Sequence, residues 1–137
     1  MAAEGYTDKV SVNVNTSTLS EIDLLVDNGY YSNRSDFINQ AIRDTLGQHR
    51  GTIDGIIRRQ ESRAESRHGW FIGVSGYTAK EIAQLYADGE HTSITGYGVL
   101  HIDPASDREQ LYAVVESINV RGRVSAPKDV KEHYGLR

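Results

Sequence analysis

Apolar and polar residues alternate with period two along Lys9-Val10-Ser11-Val12-Asn13-Val14-Asn15. That period predicts a short strand, with Val10, Val12 and Val14 on one face and Lys9, Ser11 and Asn13 on the other. The spacing then becomes helical. Leu19, Ile22, Leu25 and Val26 form one stripe, with Asn15 or Thr18 as the cap and Gly29 as the stop. Thr18 and Glu21 have capping-box spacing. A second helix opens at Asn33-Arg34-Ser35-Asp36, with Asn33 as N-cap and Asp36 at N3. Phe37, Ile38, Ala41, Ile42 and Leu46 are its expected buried stripe, and Gly47 ends or weakens it.

A strand of this length cannot stand alone, and residues 1–48 are too few to bury an adequate core as a monomer. Two chains solve both problems. Their strands pair antiparallel into a ribbon and their helices interlock beneath it. The valine face closes the dimer core, and the polar face stays outside.

Residues 49–68 read as a polar, partly helical linker anchored by Ile53, Ile56 and Ile57. From Gly69 the texture changes. Trp70-Phe71-Ile72-Gly73-Val74 is a compact apolar run, read as a buried strand. Thr78 and Glu81 form a second capping box before the stripe of Ile82, Ala83, Leu85 and Tyr86. Ser93 to Ile102 is strand-like, with a tight turn expected at Gly96-Tyr97-Gly98. Ser106 and Glu109 have capping-box spacing ahead of Leu111, Val114, Val115 and Ile118; Asn119 to Ser125 is strand-like again, and Pro127 opens a last short helix. With that turn the order is β-α-β-β-α-β, the order of a ferredoxin-like sandwich. A competing signal is an internal echo: Ser93, Ile94 and Gly98 recur as Ser117, Ile118 and Gly122, each 24 residues on. The echo suits two rungs of a small β-solenoid, and the sandwich ranks first.

Composition narrows the chemistry. The chain has 137 residues and no cysteine, so disulfides, zinc-thiolate sites and cysteine nucleophiles are excluded. No apolar run approaches the roughly 20 residues that span a bilayer, and the first residues lack the pattern of a signal peptide. A cytoplasmic protein is expected. The net charge of −4 is unevenly spread. Residues 1–48 carry three basic and seven acidic side chains, residues 49–68 five and three, and residues 69–137 seven and nine. Any polyanion partner of the first segment must therefore be held by a few placed contacts rather than by long-range attraction.

The order strand, helix, Gly29 turn and Asn33-Arg34-Ser35-Asp36 helix start resembles the ribbon-helix-helix fold of the Arc/CopG class. The stretch Gly29-Tyr30-Tyr31-Ser32-Asn33-Arg34-Ser35-Asp36-Phe37-Ile38 is similar to the corresponding turn of the superfamily's nickel-responsive regulators. The resemblance spans a quarter to a third of the chain. It implies a homodimer that binds double-stranded DNA by sequence, most often as a repressor. Lys9, Ser11 and Asn13 would read bases from the major groove, a role their donors and acceptors suit. Asn33, Arg34 and Ser35 would hold phosphate at a helix N-terminus.

The whole is then α+β: an N-terminal intertwined dimer module over residues 1–48, the linker over 49–68, and a small α/β domain over 69–137 for oligomerisation or effector binding. The dimer can grow to a tetramer or higher. Nickel-responsive regulators use three histidines and a cysteine, and this chain has no cysteine. His91, His101 and Asp103 are the remaining candidate ligands. The plainer reading of them is a lone histidine at a strand end and an aspartate that caps the next helix, so no metal or other cofactor is expected. Trp70, Tyr77, Tyr86, Tyr97 and Tyr112 are candidate effector contacts, more simply core or interface residues. Gly76-Tyr77-Thr78 is a weak anion-loop signal. Gly73-Val74-Ser75-Gly76-Tyr77 lacks the last glycine of a nucleophile elbow, and no catalytic constellation assembles from spacing, so an enzyme is not expected. The alternatives to a regulator are an antitoxin or plasmid-partition protein, and a DNA-tethered assembly protein driven by the C-terminal domain. A folded residue 69–137 segment argues against the toxin-wrapping tail of an antitoxin.

Overall fold

The computed structural model describes residues 6–64 and 69–137. The chain falls into two compact units: residues 7–58, and residues 59–137 together with Tyr6.

In the first unit, residues 7–15 carry no strand pairing, and two helices follow: α1 (Thr16–Asp27) and α2 (Arg34–Gln48). Asn15 starts α1, accepting from the Ser17 amide at 2.8 Å. Thr18 already lies inside the helix, so the Thr18–Glu21 box is not the cap. Gly29 ends α1 as a C′ residue at φ +82°, where the Gly29 and Tyr30 amides reach the carbonyls of Val26 and Leu25. Asn33 caps α2 by accepting from the Asp36 amide at 2.8 Å, and Asp36 in turn accepts from the Ser32 amide. The helix runs through Gly47 without a break. Tyr31 meets Phe37 edge to face across the turn. A third helix, α3 (Arg50–Ala64), covers most of the stretch read as a polar linker and crosses the boundary between units.

The second unit is three strands and three helices in strict alternation: β1 (Trp70–Tyr77), α4 (Ala79–Ala87), β2 (Thr92–Ile102), α5 (Arg108–Val114), β3 (Val115–Ser125) and α6 (Lys128–His133). The sheet order is β1-β2-β3 and both pairings are parallel. This corrects the ferredoxin-like expectation, which needs antiparallel neighbours and a hairpin at Gly96–Gly98. β2 instead passes straight through both glycines. Their small size serves close approach, not a turn. A Cβ on Gly96 would strike the Phe71 ring at 2.5 Å, and one on Gly98 would strike the Gly73 carbonyl oxygen at 1.9 Å.

The 24-residue echo is the strand register itself. Ser93 lies beside Ser117, Ile94 beside Ile118 and Gly98 beside Gly122, while Gly73 lies beside Gly98 on the other flank. The chain thus repeats a strand-plus-helix rung, and like residues stack.

The helices lie over the core. Ile82 from α4, Leu111 and Val114 from α5, and Val130 from α6 are buried with Ile94, Leu100, Ile102, Val115 and Ile118. Burying a side chain of this size stabilises by about 1.5–3 kcal/mol. Each helix has its own cap. Thr78 accepts from the Glu81 amide as the expected cap, and its hydroxyl donates to the Glu81 carboxylate. For α5 the cap is Asp107, not Ser106: the Asp107 carboxylate accepts from the Gln110 amide, while the Ser106 backbone amide donates to the Asp103 carbonyl in the preceding turn. Pro127 stands at the N-cap of α6 rather than inside its first turn. Tyr112 stacks on His133, and the Tyr134 hydroxyl donates to the Val115 carbonyl at 2.7 Å, tying α6 to α5 and β3.

The opposite sheet face is less covered. The apolar run read as a buried strand is an edge strand, and Ile72 is 52% exposed.

Two consequences are measurable. Gly98→Ala sets a methyl against backbone at a φ of +126°, and neither neighbour can yield. It is expected to cost the unit on the order of 3 kcal/mol or more in chemical denaturation. Burial pushes the Tyr134 phenol up to about 12. The neutral phenol is the form the fold favours, so its contribution is full below the ordinary value near 10 and is lost as pH rises from there through about 12. Tyr134→Phe should lower stability at neutral pH by about 1 kcal/mol and show a flatter loss of stability over that alkaline range.

Candidate nucleic-acid interface

Lys9, Ser11 and Asn13 are all exposed and sit on the alternate positions of the extended stretch that leads into α1. The valines between them are exposed too, Val10 at 81%, Val12 at 75% and Val14 at 45%. A polar face turned to solvent is ordinary. A facing row of three bare valines is not, because this apolar surface gains nothing from the single chain.

The helices repeat the pattern. On α1 the stripe turns inward, with Ile22 buried and Leu19, Leu25 and Val26 half-buried. The α2 stripe was expected to be buried, and in the single chain it is not. Ile38, Ile42 and Leu46 are each about half exposed, and only Phe37 is largely covered. Ile22 is the one buried large apolar residue among residues 7–58.

Asn33, Arg34 and Ser35 come together at the exposed start of α2. The Asn33 side chain is committed to capping. The amides of Arg34 and Ser35 fall in the first turn, where a helix offers them no carbonyl of its own. An oxyanion can take both, aided by the helix dipole. The Arg34 guanidinium is not idle. Its Nε and Nη2 donate to the two carboxylate oxygens of Asp23 on α1, at 2.8 and 2.9 Å. That fork holds the Asp23 carboxyl below the usual carboxylate range and raises Arg34. It also fixes the direction of the Arg34 side chain at the start of α2, a second-partner role that the spacing of Asp23 and Arg34 does not reveal.

The candidate metal ligands are engaged elsewhere. Nδ1 of His91 lies 2.8 Å from the Ala113 carbonyl oxygen, and Nε2 of His101 shares a hydrogen bond with the Tyr6 hydroxyl. The Asp103 carboxylate accepts from the amides of Ala105 and Ala79 at 2.9 and 3.1 Å, which lowers its pKa. It therefore caps α4, reached across the sheet, rather than the helix that follows it. Among the described residues no three histidine or carboxylate side chains cluster as a metal site. Of the candidate aromatics only Trp70 and Tyr97 line a common hollow on the sheet. Tyr77 and Tyr112 pack on the core, Tyr86 is exposed on α4, and Tyr97 is exposed on β2. A cleft of about 700 Å³ does open at the carboxyl ends of the three strands, between Tyr77, Thr78, His101, Asp103, Ser125 and Pro127.

No helix among the described residues is long and apolar enough to cross a membrane. Searches of curated proteins and of solved structures found no match. A family model for the ribbon-helix-helix transcriptional regulators matches residues 5–131. That span holds both the exposed N-terminal stretch with its two helices and nearly all of the stacked C-terminal unit. The chain belongs to the ribbon-helix-helix transcriptional regulator family and is a DNA-binding regulator.

Proposed function

We propose that this chain is a homodimeric repressor that reads its operator with a two-stranded ribbon. The observation that carries the reading is the uncovered valine row at Val10, Val12 and Val14 beside the half-exposed Ile38, Ile42 and Leu46. A second copy supplies the missing cover. Its own residues 9–14 pair antiparallel with the first, which also satisfies the backbone groups that one chain leaves unpaired. The valines of both strands then meet the α2 stripes in one core.

The pairing leaves Lys9, Ser11 and Asn13 of both chains on the outer face. A two-stranded ribbon fits the major groove. There Lys9 donates to guanine O6 or N7, Asn13 makes a two-point contact with adenine, and Ser11 serves either base. The start of α2 grips the flanking phosphates through the Arg34 and Ser35 amides. These contacts set the depth and register of the ribbon and carry no sequence information. The acidic balance of residues 1–48 makes this placement matter more. Repression follows from occupancy of the operator.

The first experiment is enrichment of genomic DNA fragments by the full chain, alongside Lys9/Ser11/Asn13 triple-alanine protein. The expected result is a short pseudo-palindrome held by the first and lost by the second; equal enrichment of the same site by both overturns base reading by the ribbon. Asn13→Ala alone should cost about 1–3 kcal/mol on the operator and relax selection at one base pair per half-site. Arg34→Ala keeps the backbone amide but releases the Asp23 carboxylate that its guanidinium neutralises, and the bared negative charge should weaken binding to all sequences alike. A loss confined to one sequence would instead assign Arg34 to the bases.

A further inference from the structure

The row of stacked glycines ends abruptly at β1. Gly73, Gly98 and Gly122 all have left-handed backbone, at φ +100°, +126° and +146°. At Gly122 and Gly98 the reason is visible. The place of a Cβ is taken by the carbonyl oxygen of the glycine on the preceding strand, Gly98 O at 2.0 Å and Gly73 O at 1.9 Å. At Gly73 the same backbone is kept, yet nothing lies within 4 Å of that place. The first rung has the shape of a rung that receives a strand, and among the described residues no strand is there.

The rest of that edge agrees. Parallel sheets are ordinarily covered, but Ile72 is half exposed at the edge of an apolar strand. The Thr95 amide donates to the Gly69 carbonyl and the Asp103 amide to the Tyr77 carbonyl. In a parallel ladder the odd-numbered residues of β1 therefore face β2, and the amides and carbonyls of Ile72, Val74 and Gly76 point to the open side. This is a long unblunted edge with no charged residue in it, the kind that takes another strand.

We propose that β3 of a second copy of this chain docks on the open edge of β1, parallel, with Gly122 of one copy beside Gly73 of the next. The occupant is set by the repeat. β3 is the last rung, and no other described strand pairs with its outer side. Its glycine presents to that side what Gly98 presents to β3 and Gly73 presents to β2. Continuing the register puts Arg121 beside Ile72 of the next copy and Asn119 beside its Trp70, extending the existing rows Ile72–Tyr97–Arg121 and Trp70–Thr95–Asn119. The contact joins unlike edges, so it does not close on itself as a two-fold contact would. Each copy keeps one β1 edge and one β3 edge free, and copies add end to end. The proposal goes beyond the operator-binding reading and does not depend on it. Were both true, dimers would link into arrays that hold several operators at once, with the gain in avidity that linkage gives.

The chain has no cysteine, which allows a direct test without DNA. Full-length Ile72→Cys and Arg121→Cys proteins are oxidised separately and as an equimolar mixture, over a concentration series, with circular dichroism to confirm folding. In the proposed register the two Cα atoms lie about 5 Å apart, within disulfide range. The mixture should give a linked pair of chains, and the double variant a ladder of longer species, while either single variant alone stays unlinked. Ile72→Cys mixed with Asn119→Cys, two residues out of register and about 8 Å apart, should link far less. Folded proteins that fail to link in the mixture overturn the proposal. So do equal yields from the Arg121 and Asn119 mixtures, and so does self-linkage of Ile72→Cys, which would mean that β1 pairs with its own copy.

Discussion

Backbone packed against backbone at the glycine row governs the C-terminal unit. At Gly98 and Gly122 the carbonyl oxygen of the preceding strand's glycine stands where a Cβ would be, so no side chain fits there. One residue out of register, a carbonyl would meet a Cβ, and the whole apolar set would move to the wrong face. The row therefore fixes the pairing before the helices contribute. With the register set, Ile94, Leu100 and Ile102 point to the same side, beside Ile118 of β3, where α4, α5 and α6 close over them. The caps at Thr78 and Asp107 then decide where each helix begins, and Asp103 ties the end of β2 to the start of α4.

The N-terminal unit shows the opposite balance. Its secondary structure is well specified by local chemistry, with Asn15 and Asn33 as caps, the Gly29 stop and the Asp23–Arg34 fork. Its tertiary structure is left open, since Ile22 is the one large apolar side chain that residues 7–58 bury. Entropy lost on ordering the chain is offset mainly by apolar burial, and one isoleucine falls far short. Such a unit gains stability from whatever covers its apolar rows, so in the proposed dimer folding, association and recognition are coupled.

The two units thus end in unsatisfied edges of different kinds. The first lacks cover for the side chains of Val10, Val12 and Val14. The second leaves the outer side of β1 without a partner among the described strands.

Much of this was legible along the chain. Helix α1, helix α2 and the capping residues at Asn33 and Thr78 follow from spacing, because capping is a contact between residues three apart. The alternation at residues 9–15 predicted a strand, and the single chain forms none there, leaving Lys9, Ser11, Asn13 and the valines between them all exposed. Legibility failed where distant residues meet. Gly96-Tyr97-Gly98 looks like a turn, since glycine punctuates turns; it is strand, because the Phe71 ring and the Gly73 carbonyl, more than twenty residues away, fill the space of its side chains. Asp103 looks like the cap of the helix after it, and instead receives the Ala79 amide that the parallel pairing brings alongside. Arg34 looks like a free cation and is held by Asp23. The 24-residue echo was present in the sequence, but three matched residues cannot say whether they stack. The sequence determined most of the local helices and the caps at Asn33 and Thr78, because those depend on neighbours within a few positions. The parallel order of the sheet and the role of its glycines were decided by tertiary structure, because only there do residues far apart compete for the same space.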